Sequence, residues 1–97
     1  RDIRGAMASL SGEEMEILRK ALDDPDTIFR SLRNPAAQKL EKLLIELNLI
    51  IDVWERDKFW IDVPPPEKDL ELGIGEYYAW QTPLHREAVK RALMQTV

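Results

Sequence analysis

The residues able to do chemistry fall into a few short groups. Asp23-Asp24-Pro25-Asp26 gathers carboxylates of the kind that hold a divalent cation. It lacks the loop length and terminal bidentate glutamate of a calcium site, and its spacing suits one helix end followed by the cap of the next. Gly73-Ile74-Gly75 hints at a phosphate cradle, but it is too short and no Lys-Ser/Thr follows it, so the glycines read as turn residues. His85, with Arg86 and Glu87 beside it, offers a base and an orienting carboxylate. A nucleophile is missing: no Ser, Cys or Thr stands in a strand-turn-helix context, so the chain reads as non-enzymatic. With 1 His and no Cys, disulfides, thiolate metal sites and two-histidine metal sites are excluded, and neither a metal nor a cofactor is expected.

Charge is more telling. The 97 residues carry 14 Lys+Arg against 18 Asp+Glu, a formal net charge of -4. The imbalance is uneven along the chain. Between residues 28 and 42, Arg30, Arg33, Lys39 and Lys42 stand against Glu41 alone, a local excess of three positive charges. Between residues 52 and 76, three cations face eight carboxylates. Binding to nucleic-acid phosphates requires Lys and Arg that displace counterions, and the earlier segment supplies them. Arg86, Lys90 and Arg91 form a further stripe at helical spacing, read as a solvated helix face.

The elements that would position these groups follow from local signals. With 44% hydrophobic and 33% charged residues, the composition is that of one globular domain. The longest apolar stretch, residues 47–51 broken by Asn48, is far too short to span a membrane, and no signal-like opening is present. A cytoplasmic or nuclear protein with no membrane partner is therefore expected. Residues 1–6 precede Met7, a natural initiator, and read as a cloning remnant outside the fold. The domain then covers residues 7–97: a core over 11–63, a proline linker over 64–69 and a C-terminal extension over 70–97.

Ser11 and Glu14 have the spacing of a capping box ahead of Met15, Leu18, Ala21 and Leu22, one apolar helix stripe. Pro25 stops that helix, and Asp26 is placed to cap a short second one through Ile28, Phe29 and Leu32. Asn34-Pro35 starts a third helix over residues 35–48, burying Ala36, Leu40, Leu43, Leu44 and Leu47. The period then becomes alternating. Leu49, Ile51 and Val53 match Phe59, Ile61 and Val63 across a turn, with Val53 opposite Phe59 and six apolar side chains inward. Residues 70–72 and 76–80 read as extended. Thr82-Pro83 begins a last helix with Leu84, Ala88, Val89, Ala92 and Leu93 on one face. The fold class is mainly α with a small antiparallel β-hairpin.

Three capped helices leading through Leu44, Leu47-Asn48-Leu49-Ile50 into a hairpin resemble the winged helix-turn-helix superfamily over residues 11–63. In that family the third helix ends in a polar or glycine residue before the wing; Asn48 stands there, and Glu41 stands where many members carry leucine. The resemblance implies a DNA-binding module, regulatory in role, with residues 35–48 as recognition helix in the major groove. Ala36 and Ala37 would allow close approach, Gln38 would pair with adenine, and Lys39 or Lys42 would reach guanine or phosphate. Arg30 and Arg33 would hold phosphates that fix its position. The alternative is a winged-helix protein-interaction domain of a larger assembly, using the acidic hairpin and the aromatics Trp54 and Trp60 against a protein partner. A homodimer stays open.

Overall fold

A computed structural model describes residues 2–53 and 74–95. The first element is a short helix, α1 (Ile3–Ala8), capped by the Asp2 carboxylate on the Arg4 N–H. Of residues 1–6, set outside the fold on sequence grounds, Ile3 to Ala6 thus form helix, and Ala6 and Met7 are buried in the core. The reason lies in spacing: Ile3, Ala6, Met7 and Leu10 recur at i, i+3, i+4 and i+7. That stripe packs α1 against the last helix of the chain.

Helix α2 (Gly12–Asp23) begins with the expected capping box, Ser11 Oγ accepting the Glu14 N–H at 3.2 Å and Glu14 Oε1 accepting the Ser11 N–H at 3.3 Å. Leu18 and Ala21 are buried as expected, Met15 and Leu22 are half-buried, and Ile17 joins the core as well. Helix α3 (Asp26–Arg30) departs from expectation at its start. Pro25, with no side-chain cap, occupies the capping position, and Asp26 lies one place inside the helix with only 5% of its surface exposed. Its carboxylate serves a distant segment instead. Ile28 is fully buried and Phe29 is 41% exposed.

Helix α4 (Pro35–Glu46) follows its signals closely. Asn34 Oδ1 accepts the Ala36 N–H at 3.0 Å, Pro35 opens the helix, and Asn34 Nδ2 donates to Glu13 of α2 at 2.6 Å. Ala37, Leu40 and Leu44 face the core, with Ala36, Leu43 and Leu47 packed at its margin. The helix closes in a Schellman motif. Asn48 takes φ 56°, its N–H donates to Ile45 O at 3.0 Å, and Leu49 N–H donates to Leu44 O at 2.9 Å. Leu44 and Leu49, brought together by that closure, are both fully buried.

The sheet is small. Strand β1 (Ile50–Asp52) pairs antiparallel with β2 (Tyr78–Trp80), with Ile50 opposite Trp80, Ile51 opposite Ala79 and Asp52 opposite Tyr78. Val53 N–H to Tyr77 O and Gln81 N–H to Leu49 O extend the ladder at either end. The expected partner segment, residues 59–63, lies outside the described residues, as does Val53's expected mate Phe59. The expected extended stretch at 76–80 is where β1 finds its partner. Of the residues expected inward, Leu49 and Val53 are fully buried and Ile51 is half-buried, while Ile50, Tyr78 and Trp80 also join the core. The Schellman closure spends Leu49 on helix α4, so within β1 the buried residue is Ile50 rather than Ile51.

Helix α5 (Pro83–Gln95) completes the chain, with Thr82 Oγ1 accepting the His85 N–H at 3.2 Å. Val89, Ala92 and Leu93 are buried, Ala88 is half-buried, and Leu84, expected on that face, is 80% exposed. Trp80 ties the layers together: its ring is buried and its Nε1 donates to Ala21 O of α2 at 3.1 Å. Burying an aromatic of this size stabilises the fold by about 3 kcal/mol. The architecture is mainly α with a small two-stranded antiparallel sheet. Among the described residues, no helix is long and apolar enough to cross a membrane.

Candidate nucleic-acid interface

The cations singled out by the sequence sit on α3, α4 and the turn between them. Arg30, Arg33, Gln38, Lys39 and Lys42 are all exposed. The inward positions of α4, Ala37, Leu40 and Leu44, are fully buried, and this leaves Lys39 and Lys42, one turn apart, on its outer side. Lys39, Lys42, Leu43, Ile45 and Glu46 line a shallow groove of about 580 Å³. Ile45 lies 43% exposed within it. Lysine stems cover such apolar ground while their ammonium groups stay in water.

The other candidates are partly committed. Arg30 Nη2 donates to Asp24 Oδ2 at 2.5 Å, on a site open to solvent. Gln38 Nε2 donates to Leu32 O at 2.8 Å and so holds the turn that precedes its own helix. Reading adenine would break that bond, which is worth about 0.5–1.5 kcal/mol, against about 1–3 kcal/mol for a good bidentate base contact. Ala37 is fully buried and Ala36 half-buried against the core. Their small size serves packing of α4 on the body of the protein, correcting the expectation that both clear a path to the bases.

The alternative surface is only partly visible. Trp54 and Trp60, together with the acidic residues 55–71, lie outside the described residues. Of the acidic segment's ends, Asp52 is half-buried on β1 and Glu76 is exposed ahead of β2. The Asp23-to-Asp26 cluster is dispersed by its partners: Asp24 meets Arg30, while Asp26 Oδ2 accepts the Glu76 N–H at 2.6 Å and its Oδ1 accepts those of Tyr77 and Tyr78 at 2.9 and 3.1 Å. Among the described residues, no group of three His, Asp or Glu side chains could hold a metal ion. His85 Nδ1 meets Thr82 Oγ1 at 2.7 Å within the α5 cap.

Sequence reading missed this clasp and its neighbours. Gly75 sits so close to Asp26 that a Cβ added there would overlap the carboxylate, a close approach that requires glycine. The Tyr78 hydroxyl donates to the half-buried Glu41 carboxylate of α4. Burial, then the Glu41 carboxylate, holds the Tyr78 phenol well above the ordinary tyrosine range, so it stays a donor. Residue spacing gives no signal for this pair, since the two partners lie 37 positions apart. Comparison with protein-family models, with curated proteins and with solved structures gives no match to this chain.

Proposed function

We propose that this chain is a non-enzymatic, regulatory duplex-DNA-binding module of the winged helix-turn-helix kind, with α4 as its recognition helix. One observation carries the reading: exposed Arg33, Lys39 and Lys42 lie on the outer side of α4 and the turn before it, while the opposite side of α4 is fully buried. Support also comes from the element order, with α2, α3 and α4 followed by the antiparallel pair β1 and β2. With Gln38 and Arg30 engaged within the protein, phosphate contacts dominate the affinity and sequence discrimination is modest.

The test is titration of a fluorescent generic duplex at two salt concentrations. Binding should weaken steeply with salt, and the double reversal Arg33→Glu/Lys39→Glu should abolish most of it and flatten the salt slope. No binding of the duplex at low salt would reject the reading. A second reading, a protein-interaction domain, gains from the buried Ala37 and the occupied Gln38 amide, which reduce α4's capacity to read bases. Under it the same lysines would meet an acidic protein surface, and the duplex titration separates the two.

A further inference from the structure

Helix α4 presents an isoleucine among its lysines. Among the described residues the exposed large apolar side chains are Phe29, Ile45, Leu84 and Met94, and of these only Ile45 belongs to α4. It is 43% exposed, and the packing of the helix does not call on it, since Ala37, Leu40 and Leu44 are fully buried on the opposite side. Gln38, Lys42 and Ile45 recur at i, i+4 and i+7, so they share one stripe of the helix. Lys39 and Lys42 line the shallow groove in which Ile45 stands, together with Leu43 and Glu46.

The chemistry of the major groove decides what such a side chain can read. Lysines meet phosphates whatever the sequence. The base edges are polar except for one group, the C5-methyl of thymine. An isoleucine pressed on a G·C edge covers polar atoms without offering them a hydrogen bond, and their desolvation opposes binding. Against an A·T pair it meets the methyl group, and both lose apolar surface to water. Glu46 does not alter the choice, because the adenine and cytosine amino groups are both donors and its carboxylate finds one in either pair. Gln38, the polar reader on the same stripe, is held by Leu32 O. The Ile45 side chain needs no such release.

We propose that Ile45 is the specificity-determining residue of the α4 face, selecting A·T-rich duplex by packing on thymine methyl groups in the major groove. It rests on α4 being the recognition helix, and the target narrows from duplex DNA in general to duplex rich in thymine.

The experiment is fluorescence titration of the full chain, at one low salt concentration, with an alternating A·T duplex and with the same duplex carrying deoxyuridine for every thymidine. That exchange removes only the methyl groups. A G·C duplex built with cytosine or with 5-methylcytosine places a methyl at the equivalent groove position without an A·T pair. The native chain should bind the thymine duplex about three- to fourfold more tightly than the uracil duplex, the size of one buried methyl group, and should prefer 5-methylcytosine over cytosine in the same direction. Ile45→Ala should bind both A·T duplexes alike, near the native affinity for the uracil duplex. If that variant unfolds, the two methyl comparisons on the native chain decide alone. Equal native binding of the thymine and uracil duplexes, a thymine preference that survives Ile45→Ala, or indifference to 5-methylcytosine would each overturn the proposal and leave α4 as a DNA-binding helix. No binding of any duplex would overturn both together.

Discussion

The Asp26 carboxylate accepts the backbone N–H of Tyr78 at 3.1 Å across 52 positions of chain, and so joins the start of α3 to the start of β2. The same carboxylate takes the N–H groups of Glu76 and Tyr77. One side chain thus satisfies a run of backbone donors that have no strand partner on that side. Asp26→Ala should lower unfolding free energy by about 2–5 kcal/mol, because it orphans these donors rather than merely deleting a contact. Urea denaturation measures it, and a loss under about 1 kcal/mol would show that water replaces the carboxylate.

Gly75 should behave as Asp26's counterpart. Gly75→Ala places a methyl group where the carboxylate lies, so it should destabilise by about 1–3 kcal/mol. In an Asp26→Ala background the space is vacated, and the same substitution should cost much less. Additive effects in the double variant would mean that the two residues do not oppose each other directly.

The Tyr78 phenol gives a pH dependence with a definite sign. Its folded-state ionisation lies above the unfolded value of 10.0, with desolvation the main cause. The neutral phenol is therefore favoured by folding, its contribution is full below about pH 10, and it is lost as pH rises beyond that. Stability should stay level from pH 8 to about pH 10 and fall above it, and Tyr78→Phe should flatten that fall while lowering stability at neutral pH. An alkaline slope identical in the variant would assign the effect to other groups.

Asn48 closes α4 in the left-handed region. Asn48→Gly should be neutral to within about 0.5 kcal/mol, whereas Asn48→Val should cost about 1–2 kcal/mol through its β-branched side chain at positive φ. Thermal midpoints of the two variants check the order.

On the proposed DNA face, Gln38→Ala should relax base preference by no more than about 1 kcal/mol at one position, since its amide must first leave Leu32 O. It should also destabilise the turn before α4 slightly. Competition between duplexes differing at single base pairs reads the first effect. A preference lost by more than tenfold would show that Gln38 reads the base outright.

The legible parts of this fold were those whose causes are local. Ser11 and Glu14, Asn34 and Pro35, and Asn48 each act within about one helical turn, and each sits where its residue type demands. The short α1 escapes the sequence reading because residues 1–6 precede Met7 and are set aside, although Ile3, Ala6, Met7 and Leu10 carry helical spacing. Asp26 was read as a cap because residue type and position suit one; its true partners lie 50 to 52 residues away, beyond any local pattern. Phe29 stacks on Tyr77, which lies just ahead of β2 and far away in sequence, so no local pattern announces the pair. Of the candidate site, the exposure of the cations was readable; the occupation of Gln38 and Arg30 by Leu32 and Asp24 was not, since it depends on how the α3–α4 turn is shaped.

The long reach of the Asp26 clasp also bears on the order in which the molecule assembles. Helices α2, α3 and α4 adjoin in sequence and pack on one another, so their mutual docking needs little loop closure. Bringing residues 76–78 to Asp26 closes a loop of 50 residues or more, with an entropic cost growing to about 3–4 kcal/mol. The helical part should therefore form ahead of the clasp, and the clasp should be absent from the folding transition state. In rate terms, Asp26→Ala should accelerate unfolding and leave refolding nearly unchanged, a kinetic signature of a fastening applied last.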